Sequence, residues 1–288
     1  MRTRLISATG AAERTPDSDR KTVRLHSVPV IGLLLVVSAA LVAAFEPAPR
    51  TLLSPTFGAY SDAKLRDAFG RALVEYWRSG TPAFPAHLTT LVDYWFQWHA
   101  IKVAISSLSV IVFALLAAAL WQRYLRAQAW YAAFAIAATV STVAAVVVLM
   151  FNIPATAVPM GALLGVLPGG TADGKLAQVL SEMREGLRHS AGPHAGSPAL
   201  TVLLGDVERY DWVMVVVSAT LMVATVLVSV LFWRRRIAAV PSATRVRFMN
   251  TTLGVITALT ACLLLLATVA YTFSALDPAA SLLGIMRL

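Results

Sequence analysis

Long apolar runs separated by polar segments dominate the pattern of the chain. Five of these runs carry no charge except Lys102, near one edge of the second run; they cover residues 28–45, 101–120, 130–151, 212–232 and 253–273. About 20 helical residues are needed to cross the hydrocarbon core of a bilayer. A segment in that core has to satisfy its own backbone hydrogen bonds, so the pattern predicts five transmembrane helices.

The pattern therefore predicts an all-α membrane protein, a five-span transmembrane helix bundle with two long outer loops. Composition agrees, because 58% of the residues are hydrophobic and only 14% are charged, whereas about a quarter are charged in a soluble domain. The predicted parts are a basic cytoplasmic tail (1–27), a first span (28–45), an outer loop (46–97), a helical hairpin (98–152), a second outer loop (153–211), a second hairpin (212–273) and an outer C-terminal tail (274–288).

Lys and Arg are distributed unequally between the two sides of the predicted bundle. The N-terminal tail and the two short loops hold thirteen basic and three acidic residues, while the long loops and the C-terminal tail hold ten basic and twelve acidic residues. Because cytoplasmic loops are enriched in Lys and Arg, we expect a protein of the cytoplasmic (inner) membrane with its N-terminus inside and its C-terminus outside. The net charge of +9 thus indicates topology, and no nucleic-acid partner is expected.

The first span has a second interpretation, as a secretory signal peptide. A basic segment precedes it, and Val42, Ala43 and Ala44 are small residues of the kind found before a cleavage site. A signal peptide has an apolar region of roughly 7–15 residues, which the run at 28–45 exceeds. We therefore favour an uncleaved anchor. Cleavage would leave four spans in the same orientation.

Each long outer loop contains a segment with the periodicity of an amphipathic helix. In the first loop, Ser61 is placed to cap a helix that Gly80 ends, with one apolar face made of Leu65, Phe69, Leu73, Tyr76 and Trp77. The second loop repeats this spacing with Leu176, Val179, Leu180, Met183 and Leu187. The two helices either lie on the outer bilayer surface or pack together as a small helical cap. Acidic residues on their polar faces favour the cap.

The second span carries a polar stripe at spacings of three and four residues, which places His99, Lys102, Ser106 and Ser109 on one face. Four polar residues facing lipid would be costly, so we expect the stripe to point into the bundle. An inward ammonium needs a partner. The carboxylates expected at its depth are Asp211, Asp206 and Asp93, and we favour Asp211 because it adjoins the start of the fourth span. If Lys102 snorkels to the headgroups instead, no pair forms.

Motifs that would indicate an enzyme or a bound cofactor are absent from the sequence. There is no phosphate-binding glycine loop, no HExxH and no nucleophile beside a base. The loop histidines His87, His189 and His194 lack the spacing of a metal site. His99, at the edge of the second span, offers one ligand, whereas a membrane haem would need two within the spans. Cys262 is the only cysteine and lies within a span. We expect no enzymatic activity, no metal and no cofactor.

Two stretches resemble uncharacterised multi-pass integral membrane proteins of actinobacteria (high-GC Gram-positive bacteria). One is Asp93-Tyr94-Trp95-Phe96-Gln97-Trp98-His99 at the entry to the second span, and the other is Asn152-Ile153-Pro154 with the following residues 161–168. The Ala-, Val- and Arg-rich composition is similar as well. This resemblance implies a membrane location and carries no activity.

Three functions remain open from the sequence. The absence of catalytic motifs favours an accessory or interaction subunit, whose cap contacts a membrane or extracytoplasmic protein of a cell-envelope complex. The alternative is a small transporter, channel or lipid-handling protein that uses the polar stripe, and a water-filled cavity reaching Lys102 would favour it. The third is a membrane enzyme acting on a lipid, which would need a contact between His99 and a carboxylate. The sequence does not indicate the oligomeric state.

Overall fold

The protein is helical throughout the part of the chain that the structure, a computed structural model, describes: residues 28–58, 60–167, 174–188 and 197–286. These residues form no strand, and their helices are α1 (Val28–Ala44), α2 (Pro47–Phe57), α3 (Asp62–Ser79), α4 (Ala86–Arg126), α5 (Tyr131–Ala157), α6 (Pro159–Leu164), α7 (Gly174–Arg188), α8 (Pro198–Ala238), α9 (Thr244–Leu276) and α10 (Pro278–Ile285). The predicted all-α class is confirmed. The basic tail (1–27) and the histidines His189 and His194 lie outside the described residues.

Two long helical hairpins form the bundle. α4 packs along α5, α8 packs along α9, α5 contacts α8, and α1 lies against α4. Within the described residues, α4, α5, α8 and α9 are long and apolar enough to cross a membrane. α1 and α2 are bent by 45° relative to each other and make a fifth candidate if the pair is counted as one span. The bundle therefore has four or five candidate spans, and α1 covers the predicted first span.

The surface of the bundle suits lipid rather than water. Leu108, Ile111, Leu227 and Leu263 are all more than half exposed, and soluble monomers rarely expose apolar surface of this extent. Only 11% to 33% of the most apolar window of each candidate span is buried inside the protein. Because a bilayer would cover the remaining apolar surface, these helices indicate an integral membrane protein.

The largest cluster of buried apolar side chains in the described residues lies beyond the bundle. We call this region the head; it comprises α2, α3, α6, α7 and α10 with the first residues of α4 and α8 (86–98 and 198–211). Its core includes Phe69, Leu73, Leu88, Leu91, Leu163, Leu164, Met183, Leu203 and Leu282, all fully or almost fully buried. The 46–97 and 153–211 segments, expected to be loops with one helix each, thus belong mainly to helices that build one core.

The two amphipathic helices pack against each other inside this head. Helix α3 begins and ends as its sequence predicts, because Ser61 Oγ accepts a hydrogen bond from the Lys64 backbone N–H at 3.3 Å and Gly80 has a φ of 65°. α7 covers the second predicted helix. A hydrogen bond of 2.9 Å from Trp77 Nε1 to Glu182 Oε2 joins the two. Their apolar faces therefore contact protein.

Tyr76, at the centre of α3, shows how well the head core excludes water. Its side chain is fully buried, and its hydroxyl donates to the Pro82 carbonyl at 3.4 Å. Burial raises the pKa of Tyr76 to about 12, with a smaller contribution from the negative charge of Asp206. The phenol therefore stays neutral at any physiological pH.

Two short helices complete the head. α6 lies against α8 so closely that a Cβ added to Gly161 would be 2.9 Å from the Asp206 backbone oxygen. α10, within the predicted C-terminal tail, begins where Asp277 Oδ1 accepts from the Ala280 N–H at 2.9 Å, and it inserts Leu282 into the core. Arg184 of α7 donates to the carbonyl that follows α10, at Met286. Residues 278–286 thus form part of the head.

Candidate functional site

Lys102 lies where the bundle meets the head, at the corner between α1 and α2. Its ammonium donates to Glu46 Oε1 at 2.7 Å and lies 4.6 Å from the centre of the Phe45 ring and 5.3 Å from that of Trp98. Only 13% of the Lys102 side chain is exposed, against 58% of Glu46. The predicted partner, Asp211, was therefore wrong; the carboxylate that pairs with Lys102 belongs to the helix break after α1.

Asp211 faces a different neighbour because of the way the hairpins pack. It lies on α8, which contacts α9 and α10, whereas Lys102 extends from α4 towards α1 and α2. Ser281 of α10 donates a hydrogen bond to Asp211 Oδ2 at 3.0 Å, and the Asp211 residue is 4% exposed. Asp211 thus ties α10 to α8 at the base of the head and takes no part in the site around Lys102.

The other residues of the polar stripe do face the protein, but they do different things. Ser106 and Ser109 are buried, and their hydroxyls donate to the backbone carbonyls of Lys102 and Ile105, four residues earlier in α4, at 2.6 and 2.8 Å. Their polarity is satisfied within the helix. His99 Nδ1 lies 2.9 Å from the Trp95 carbonyl, so Nδ1 carries the proton and Nε2 is left as the acceptor of the neutral ring.

His99 and Lys102 line a cavity of about 510 Å³ at the base of the head. This volume is within the range of roughly 300–1,000 Å³ that is usual for ligand sites. Its walls come from four places: the α1–α2 corner, the start of α3, residues 94–102 of α4 and the turn after α6. The lining residues are Glu46, Arg50, Tyr60, Ser61, Asp62, Leu65, Arg66, Tyr94, Trp95, Trp98, His99, Lys102, Gly165, Val166 and Leu167. The cavity is thus largely polar and lies beside the start of the apolar stretch of α4.

Cationic side chains outnumber carboxylates in this cavity. Lys102 is paired with Glu46, and Arg50 Nη2 lies 3.7 Å from Asp62 Oδ1. No carboxylate of the described residues lies within ion-pair distance of Arg66, which is also exposed. Arginine binds phosphate through paired N–H groups and lysine binds it as a point charge. The surplus positive charge therefore suits a phosphate-bearing ligand.

Aromatic rings form one wall of the cavity and include a hydrogen-bond donor without an acceptor. Tyr94 contacts Tyr60 and Trp98, with ring centres 5.0 and 5.8 Å apart, and Trp95 contacts His99 at 4.5 Å. The Trp95 indole nitrogen is buried, and among the described residues nothing accepts its proton. Amphipathic rings of this kind favour the headgroup level of a membrane.

Most of the cavity residues escaped the sequence analysis. Only His99 and Lys102 were predicted as site residues, whereas Glu46, Arg50 and Arg66 come from segments read as loop or as polar helix face. One signal was present: Glu46 stands between an apolar run and two prolines, Pro47 and Pro49, which marks a break at the membrane border.

Neither a carboxylate partner for His99 nor a metal-ligand cluster is found among the described residues. No protein-family model matches the chain, and no similar protein was found among curated sequences or solved structures. The resemblance to actinobacterial membrane proteins stays a prediction. What the cavity does has to be argued from its own chemistry.

Proposed function

We propose that this integral membrane protein binds a small phosphate-bearing ligand in the cavity at the base of the head. The proposal is supported by one observation: the cavity extends to Lys102 and His99, and cationic side chains outnumber carboxylates along its walls. This proposal develops the second alternative of the sequence analysis, a small transporter, channel or lipid-handling protein that uses the polar stripe. An interaction subunit would need no cavity at this position, although a partner protein on the head is compatible with ligand binding.

The proposed location is the cytoplasmic membrane, with the head outside as a helical cap. The support is the charge at the opposite end of the bundle, where the α4–α5 and α8–α9 loops and their flanks hold seven arginines and no acidic residue: Arg123, Arg126, Arg234, Arg235, Arg236, Arg245 and Arg247. Such clusters remain on the cytoplasmic side. The ligand would then reach the cavity from the outer side of the membrane.

Cysteine labelling in intact cells tests this orientation. In a Cys262→Ala background, we expect Ser79→Cys, at the exposed end of α3, to react with a membrane-impermeant maleimide. Ser242→Cys, in the exposed α8–α9 turn, should react only after the cells are permeabilised. The reverse pattern, with Ser242→Cys labelled and Ser79→Cys protected, would place the head in the cytoplasm.

Calorimetric titration of the purified protein tests the ligand. We expect saturable binding of glycerol phosphate and none of glycerol. The Arg66→Gln variant should weaken glycerol phosphate binding by about ten- to a hundredfold, since a charge-assisted hydrogen bond is worth about 1.5–3 kcal/mol.

The matched control is Arg71→Gln, which removes an exposed arginine from the same helix away from the cavity. It should leave the affinity unchanged. Equal losses in Arg66→Gln and Arg71→Gln would indicate a diffuse electrostatic effect, and no saturable binding to the wild-type protein would refute the proposed function.

A further inference from the structure

A second cavity lies at membrane depth directly beside the first. It is a groove of about 310 Å³ between α1, α4 and α5, lined by Leu41, Val42, Phe45, Ser106, Ser109, Phe113, Ser141, Ala144, Ala145 and Val148. On each of α4 and α5 it extends over eight residues, and the seven steps of 1.5 Å between the first and the last amount to about 10 Å along the bundle. We call it the acyl groove.

The acyl groove exists because small side chains oppose large ones. Ser106 and Ser109 of α4, with Ala144 and Ala145 of α5, leave space that the neighbouring phenylalanines do not fill. The two serine hydroxyls donate to carbonyls of their own helix, so they present little unsatisfied polarity to the groove. Its walls are therefore apolar in effect, although the sequence pattern identified a polar stripe here.

One contact separates the groove from the cavity above it. Phe45 lines the groove, Lys102 lines the cavity, and the Lys102 ammonium lies 4.6 Å from the centre of the Phe45 ring. Along the chain, Phe45 is followed directly by Glu46 of the cavity, and Ser106 lies one helical turn below Lys102. A charged compartment at headgroup level thus adjoins an apolar compartment at hydrocarbon level.

We infer that the ligand is an anionic phospholipid, with its phosphate-bearing headgroup in the cavity, where cationic side chains outnumber carboxylates, and one acyl chain in the acyl groove. This inference rests on the proposed function and names the class of its ligand. The polar cavity matches the headgroup of such a lipid, and the adjoining apolar groove matches its acyl chain. The glycerol region of the lipid would then lie beside Phe45 and Lys102.

Photolabelling of the protein in phosphatidylcholine nanodiscs tests this arrangement. The probe is phosphatidylglycerol that carries a diazirine in one acyl chain, and the labelled residues are mapped by mass spectrometry. We expect preferential labelling of the acyl groove over exposed surface positions such as Leu227, with competition by unlabelled phosphatidylglycerol. A phosphatidylcholine probe with the same diazirine should label the groove and the surface alike.

Two variants examine the two compartments separately. Ala144→Phe fills the acyl groove from an exposed position and should reduce groove labelling several-fold. Its matched control, Ala133→Phe, adds the same ring at an exposed position of α5 outside the groove and should have no effect. Arg66→Gln alters the headgroup cavity alone, and it too should reduce labelling in the groove.

The two proposals fail in different ways. Uniform labelling of groove and surface, or groove labelling that Arg66→Gln leaves intact, would overturn the phospholipid inference. If glycerol phosphate still binds in that case, the ligand is a soluble phosphate compound and the proposed function stands. If neither glycerol phosphate binding nor headgroup-selective labelling is observed, both proposals are wrong.

Discussion

Replacing Leu73 with Asp is expected to unfold the head. Leu73 is fully buried in the core that α3 shares with α7, α4 and α8. The change removes a large apolar side chain and leaves a carboxylate without a partner, which costs about 3–5 kcal/mol or more. We expect a large fall in melting temperature when the purified protein is heated and its tryptophan fluorescence is followed, because Trp77 lies in the same core.

The Arg71→Asp variant is the control for this result. Arg71 is on the exposed face of α3, so the substitution places the same carboxylate in the same helix without burying it. Its melting temperature should stay near that of the wild-type protein. Leu180→Asp, on the facing helix α7, should reproduce the effect of Leu73→Asp. Unchanged melting of both buried variants would mean that α3 and α7 do not pack together.

Gly161→Val should separate α6 from α8. A Cβ at this position would lie 2.9 Å from the Asp206 backbone oxygen and 3.0 Å from Tyr210 Cβ. Because one of these neighbours is backbone, the helices have to move apart, and overpacking of this kind costs about 1–3 kcal/mol. The turn after α6 lines the cavity through Gly165 and Val166, so we expect weaker glycerol phosphate binding as well as a lower melting temperature.

Gly205→Val provides the comparison, since nothing lies within 4 Å of a Cβ added to Gly205 on α8. It introduces the same side chain into a helix and should change the melting temperature little. Equal behaviour of the two variants would show that α6 does not need a close approach to α8.

Local signals in the sequence predicted the elements well. The Ser61 cap, the Gly80 stop and the apolar positions of α3 depend on residues within a few turns of one another, and each has a physical reason that acts on a single helix. The same holds for the apolar runs of α4, α5, α8 and α9. Periodicity alone also showed that Ser106 and Ser109 share a face of α4 with Lys102.

Such local signals could not predict the contacts between segments that are distant in the sequence. Glu46 and Lys102 are 56 residues apart, and their contact depends on how far α1 bends into α2 and on which face of α4 meets that corner. Depth in the membrane was the only criterion that could be applied from sequence, and it favoured Asp211, which lies at a similar level on another hairpin. The sequence analysis also missed the extent of the head. The first residues of α4 and α8 are less apolar than the parts of these helices predicted to span the membrane, so they were assigned to the outer loops.

The continuity of α4 gives the cavity one rigid side and one compliant side. α4 has 41 residues without a break and is about 60 Å long, so it joins the head core to the far end of the bundle as a single rod. Bending it would break backbone hydrogen bonds in an apolar environment. The α1–α2 corner has already left the regular helical pattern: the Phe45 N–H donates to the Val42 carbonyl, three residues earlier, at 3.3 Å, and Pro47 has no N–H to continue the helix. If the cavity opens or closes, we therefore expect the α1–α2 corner to move as a hinge while α4 stays in place.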